Sequence, residues 1–297
     1  MAWRCAGISW PQGTRMPVLA WEGGRVSPLT RGKELGFRAE GERRCVGARG
    51  NDCPLQAVVA GRATQARCPE CARLERAHSV AADTMADDPR PYRVYLAWFG
   101  PGMVKVGITG EGRGAARLLE QGAVAFTWLG RGPLMAARRT EELLRTALGV
   151  PDRIPYAAKR AVRSGLPDAG ERAAEIEALH RRAMGLEGWA ETLERLEFEA
   201  VDHGQTFGLD GLDGVGGLPA ATGAVRELMD GGVVAGRLVA AAGPDLHLRT
   251  GDGGLIVLDT RLLAGWGLVG ANPKAVVTVP LVDVGEAGEK TVQDGLF

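Results

Sequence analysis

The chain of 297 residues is 45% hydrophobic and 24% charged, with 36 basic side chains balanced by 36 acidic ones. That supports one large or two modest domains with a real apolar core. No apolar run approaches the roughly 20 residues that span a bilayer, and the opening MAWRCAGISWPQG has no apolar stretch of the secretory kind, so the expectation is a cytoplasmic chain without a membrane partner.

The charge is unevenly spread. Residues 91–163 hold 12 Lys and Arg against 5 Asp and Glu, whereas residues 164–297 hold 10 against 21. The middle block therefore suits an anionic partner and the last third repels one.

In chain order, MPVLAW at 16–21 reads as a short strand, and residues 45–78 carry four of the five cysteines. AADTMADDPRP at 81–91 reads as a linker. RVYLAWF (93–99), the turn GPG (100–102) and MVKVGIT (103–109) read as a hairpin. A short helix follows and is closed by Gly122. AVAFTWLG (123–130) reads as a third strand, and a helix runs from Pro133 to Leu148, stopped by Gly149 and Pro151. Residues 152–164 read as helical, and 169–200 as a long amphipathic helical region with a break near Gly185–Gly188. HGQTFGLDGLDGVGGLPAATG (203–223) reads as a glycine-rich joint. Beyond it, short apolar runs between Gly/Asp turns predict a small antiparallel sheet or barrel. The expected parts are 1–90, 91–165, 166–202, 203–223 and 224–297. The N-terminal strands are expected to complete the C-terminal sheet.

The cysteines are spaced Cys45-x7-Cys53-x14-Cys68-x2-Cys71. Two thiolates three residues apart hold one ion from a single turn, and a second pair completes a tetrahedral site that suits structural Zn²⁺. Disulfides are the competing reading, disfavoured because nothing suggests export. His78 is a substitute ligand.

Three charged residues ask for an explanation. In the hairpin, Tyr95 lies on one face, and Lys105 and Gly107 share a face that coincides with it if the chain turns at 100–102. Arg117, flanked by Ala116 and Leu119, is placed to lean over the sheet. Glu142 has Arg138 and Arg145 on its side of the helix, whereas Glu141 lies in a row with Ala137, Leu144 and Leu148 and should face inward. An inward carboxylate is costly unless it is paired or binds a cation. The plain alternatives are an ordinary strand tyrosine, a solvated lysine and a helix-surface ion pair.

Tyr95, then Lys105-Val106-Gly107-Ile108-Thr109, then Arg117, then Glu141 resembles the GIY-YIG domain, most closely its phage-type branch with a Lys-Ile/Val-Gly-x-Thr second motif. The likeness covers roughly residues 92–150. With its cysteine segment and β-rich C-terminus, the whole chain is similar to a bacterial GIY-YIG-like family. The resemblance implies an α+β fold, a small antiparallel sheet with helices in the order β-β-α-β-α, beside a zinc-ribbon-like segment and a β-rich C-terminal unit. It also implies metal-dependent phosphodiester hydrolysis on DNA or RNA. Tyr95, Lys105, Arg117 and Glu141 would be catalytic, with Tyr95 the base, Arg117 on the phosphate and Glu141 on Mg²⁺ or Mn²⁺. Gly107, Thr109, Arg113, Lys159 and Arg160 would meet substrate. Arg93-Val94 stands where that family has Gly-Ile before the tyrosine, and Lys105 replaces its second tyrosine. These departures motivate the alternative of a non-catalytic, zinc-containing DNA- or RNA-binding module on the same fold.

Overall fold

Strands from both ends of the chain meet in one sheet in the computed structural model, which describes residues 2–77, 88, 90–151, 153–211 and 217–284. The fold is α+β, with six α-helices among the described residues. It divides into two compact units, Met1–Thr84 with Pro219–Phe297, and Met85–Leu218. The linker expected at 81–91 and the ligand candidate His78 lie largely or wholly outside the described residues.

The first unit begins with β1 (Trp3–Ser9), β2 (Val18–Trp21), β3 (Val26–Pro28), β4 (Glu34–Glu40) and α1 (Pro69–Ala77). The chain leaves through the second unit: β5 (Tyr92–Trp98), β6 (Val104–Gly110), α2 (Ala116–Gln121), β7 (Ala125–Gly132), α3 (Leu134–Leu148), α4 (Tyr156–Val162), α5 (Ala169–Met184), β8 (Glu194–Arg195), β9 (Val201–Asp202) and α6 (Gly204–Phe207). It returns to the first as β10 (Gly223–Val225), β11 (Val233–Ala242), β12 (Asp245–Arg249), β13 (Leu255–Asp259), β14 (Gly267–Gly270) and β15 (Leu281–Val282).

In the second unit the expected hairpin forms, with Tyr95 opposite Gly107 and Ala97 opposite Lys105. Residues opposed across an antiparallel pair share a face, so the tyrosine, glycine and lysine do too. β7 pairs along the other edge of β5, giving the order β6-β5-β7-β8 with β9 also on β7. Tyr95, Ala97 and Phe126 pack with Leu118 of α2 and with Ile154. Val94, Leu96 and Trp98 are wholly buried, and the Trp98 indole donates to Glu175 of α5 at 2.7 Å. α3 packs along β6, the edge strand. α2 ends where Gly122 takes a left-handed φ of 69° and its N–H reaches the carbonyls of Leu118 and Leu119.

The helical region expected over 169–200 stops at Met184. Asp168 and Glu171 form a reciprocal capping box at the start of α5. Beyond the helix, Trp189 and Leu193 are buried, and the chain comes back as β8 against β7. The spacing of Leu186, Trp189, Leu193 and Leu196 imitates a helical stripe. What overrides it is the bare backbone of β7: a Cβ on Gly130 would lie 2.6 Å from Leu193 Cδ2, so the missing side chain admits Leu193. The joint expected at 203–223 is described except for residues 212–216. Its first part is α6, with Phe207 fully buried.

The first unit holds a ten-stranded sheet in the order β15-β10-β13-β12-β11-β4-β14-β1-β2-β3. β4 from the N-terminal part lies between β11 and β14. Arg43, 1% exposed, joins the two parts of the chain. Its guanidinium donates to the carbonyls of Ala60, Ala63, Arg261 and Ala264 at 2.6–2.8 Å. Replacing it with methionine keeps the bulk but leaves four carbonyls without that donor. Arg43→Met is expected to destabilise this unit by about 3 kcal/mol or more, read as a lowered urea midpoint.

Candidate functional site

The hairpin register sets Gly107 directly beneath the Tyr95 ring. A Cβ at that position would collide with the phenol oxygen, so the bare glycine is what lets the phenol lie across β6. Tyr95 is 2% exposed, and Trp128 meets its ring edge-on at a centroid distance of 6.2 Å. Gln121, at the end of α2, donates its amide to Tyr95 Oη at 3.0 Å and to the Arg117 carbonyl at 3.2 Å.

Three charges surround this phenol. Lys105 Nζ stands 5.9 Å from the ring centroid. The Arg117 guanidinium, exposed on α2, favours the phenolate, and so does the Gln121 amide. Glu141 opposes it. Burial outweighs all of these and raises the Tyr95 pKa above its ordinary value. Glu141 itself is half-buried on α3, next to buried Ala137 and Leu144, as the helix phase predicts. Its neighbour Glu142 is exposed and paired with Arg145 at 2.6 Å, which lowers the Glu142 pKa.

The remaining predicted residues divide. Thr109 is buried on the Gly107 face. Arg113 and Arg117 share one carboxylate, Glu120, at 2.6 and 3.5 Å. Lys159 and Arg160, expected to grip a polyanion, are instead 4% and 5% exposed. The Lys159 ammonium donates to the Gln121 carbonyl at 3.0 Å and lies over the Phe99 and Tyr156 rings. It caps the C-terminal end of α2, where a cation is favoured, rather than facing solvent. Gln121 was not anticipated. Its one signal is the four-residue interval from Arg117, which stacks the two on one side of α2.

The second constellation lies in the first unit. Cys45, Cys53, Cys68 and Cys71 are buried, with ligand atoms all within 4.8 Å of one another. They are free thiols, not disulfides. Cys68 lies just before α1 and Cys71 in its first turn. Tetrahedral coordination at about 2.3 Å per Zn–S bond sets sulfurs about 3.8 Å apart, and Cys53 and Cys68 stand at 3.9 Å. The amides of Cys68 and Gly47 donate to Cys45 Sγ at 3.2 and 3.4 Å, the kind of donor that stabilises a metal-bound thiolate. Backbone donors, led by the Ala57 amide, pull Cys53 down to about 6, whereas burial first and then its sulfur neighbours push Cys71 up to about 12. This donor set could bind a metal. Among the described residues, Glu141 belongs to no comparable group of three or more ligands.

A family model described as "Protein of unknown function (DUF2797)" matches residues 32–268. No curated protein and no solved structure matches the chain.

Because the folded state holds the Tyr95 proton more tightly than the unfolded chain, stability is expected to fall as pH rises above the ordinary phenol value of about 10. Tyr95→Phe should flatten that alkaline slope, measured by urea unfolding across pH. Gly107→Ala should displace the ring and destabilise the second unit by about 1–3 kcal/mol, with loss of the near-ultraviolet tyrosine signal in step.

Proposed function

Since the chain belongs to the DUF2797 family, whose description names no activity, we propose its function from the site: metal-dependent phosphodiester hydrolysis on nucleic acid, on a GIY-YIG-like core. The observation that carries this reading is the phenol of Tyr95 laid over the bare backbone of Gly107, with Lys105, Arg117 and Glu141 all bearing on it. The order β5-β6-α2-β7-α3 supports the likeness. The site takes a cytoplasmic DNA or RNA strand as its partner.

Each side chain has a task. Arg117 offers a planar fork to a phosphate, which competes with Glu120 for it. Arg113, on the other oxygen of Glu120, holds that carboxylate back. Gln121 fixes the phenol oxygen and leaves its proton free to move on another line. Lys105 favours the phenolate as water is deprotonated. A divalent ion on Glu141 would polarise a phosphoryl oxygen and cancel the one charge that opposes ionisation of Tyr95. We further propose that the four cysteines hold structural Zn²⁺, since four protein ligands leave no open position.

The burial and raised pKa of Tyr95 favour a second reading, a zinc-containing module that grips DNA or RNA through Arg113 and Arg117 without cutting it.

Purified protein incubated with labelled single- and double-stranded DNA and RNA is expected to cut with Mg²⁺ or Mn²⁺ and not with EDTA. Tyr95→Phe and Glu141→Gln should each lower the rate about 10²-fold or more while binding persists. Salt-sensitive binding with no cutting would establish the module instead, and no binding at low salt removes both. Elemental analysis is expected to give about one zinc per chain, lost in Cys53→Ser.

A further inference from the structure

The β-rich unit contains a cavity of about 610 Å³, within the roughly 300–1,000 Å³ of small-molecule sites. It opens among β1, β2, β4 and β14. Three aromatic rings line it, those of Trp3, Trp21 and Phe37, together with aliphatic residues such as Leu35 and Leu268. The Trp21 indole is fixed by donating to Ser27 Oγ at 2.9 Å. Trp3 stands edge-on to it, with ring centroids 6.3 Å apart, and is 39% exposed, so an indole face is offered at the cavity rather than sealed in a core.

The charges of the lining are of one sign. Arg25 and Lys33 contribute, and no aspartate or glutamate does. The Arg25 guanidinium lies 4.5 Å from the Trp3 ring centroid, and Lys33 Nζ bonds the Pro28 carbonyl at 2.7 Å. Among the described residues, neither cation has a carboxylate partner. Two cations without an acid, beside an aromatic wall, complement a ligand whose ring stacks on indole and whose anionic group reaches the rim.

We propose that this cavity is a binding site for a small aromatic anion. Two sources share that chemistry, an aryl carboxylate and a mononucleotide. The proposal stands on residues of the first unit and is independent of the nuclease reading.

The full chain is titrated by calorimetry with 2-naphthoate, its uncharged carboxamide and adenosine 5′-monophosphate. Saturable one-to-one binding of either anion is expected. Naphthoate alone identifies an aryl acid, the nucleotide alone identifies a nucleotide, and both together identify the shared chemistry. The carboxamide should bind at least about tenfold more weakly than naphthoate if naphthoate is the anion that binds. The paired substitution Arg25→Ala with Lys33→Ala should lower affinity for the binding anion to a similar degree. Gly270 also lines the cavity, and a Cβ added there meets nothing within 4 Å. Gly270→Trp is therefore expected to fill the space and abolish binding while circular dichroism is unchanged. Absence of saturable binding of both anions up to about 1 mM, equal affinity for acid and amide, or full affinity in a folded Gly270→Trp protein would overturn the site. If Gly270→Trp does not fold, the Arg25/Lys33 pair decides: unchanged anion affinity overturns the proposal.

Discussion

A phenol laid across the backbone of its partner strand is the constraint on which the middle of this protein turns. Any side chain at Gly107 would meet Tyr95, so the strand gives up a β-favouring residue at that point. The space obtained is filled by a group that burial keeps neutral and that the Gln121 amide and the Arg117 guanidinium draw toward ionisation. Tyr95 is a member of the buried apolar cluster whose phenol oxygen is drawn in both directions. Its oxygen is tied to the Gln121 amide, that amide is tied in turn to the Arg117 carbonyl in the first turn of α2, and Lys159 holds the last carbonyl of the helix, that of Gln121. The hairpin, the short helix and the buried ammonium form one chain of dependence, and a disturbance at any link reaches the phenol.

The first unit is held by different means. Between β4 and α1 the polypeptide forms little regular structure, and its small apolar cluster consists largely of the four cysteines with Ala48 and Val59. Apolar burial of that size contributes little against the entropy of ordering some thirty residues. The buried Arg43 guanidinium supplies part of what the core lacks, and the four cysteines are close enough to supply more by holding a metal. Arg43 ties the cysteine segment to the turn after β13, so strands distant in sequence are fastened through carbonyl groups rather than side-chain packing.

Much of this was legible in the sequence where a short-range rule governs. The hairpin, the capping glycine at 122 and the phases of Glu141 and Glu142 follow from period and local chemistry, and the cysteine spacing announced a shared site. The failures lie where a long-range contact overrides a local pattern. Leu193 leaves its apparent helix because Gly130 makes room on a strand more than sixty positions earlier. Lys159 and Arg160 look like a solvated basic run, yet aromatic rings and a helix end draw Lys159 inward. Gln121 was missed because an amide carries no charge pattern, and its role exists only once the hairpin and α2 are brought together.

The same distinction changes what the basic middle block means. A surplus counted along the sequence suggests a broad cationic surface, but the folded unit hides or pairs much of it. Lys159, Arg160 and Arg163 are buried, and Arg145 is matched one-to-one by Glu142. Uncompensated charge persists where two guanidiniums share one acid. Glu120 is so shared by Arg113 and Arg117, whereas Arg131, which meets Glu111 beside Arg93, also reaches Glu194 at 3.9 Å. A shared carboxylate holds both arginines in place while leaving one positive charge without a matching acid, at less entropic cost than two unrestrained side chains would incur. The Glu120 pair includes the arginine that acts on Tyr95. The fold thus reduces a diffuse excess of positive charge to a local one and sets part of it beside the buried phenol.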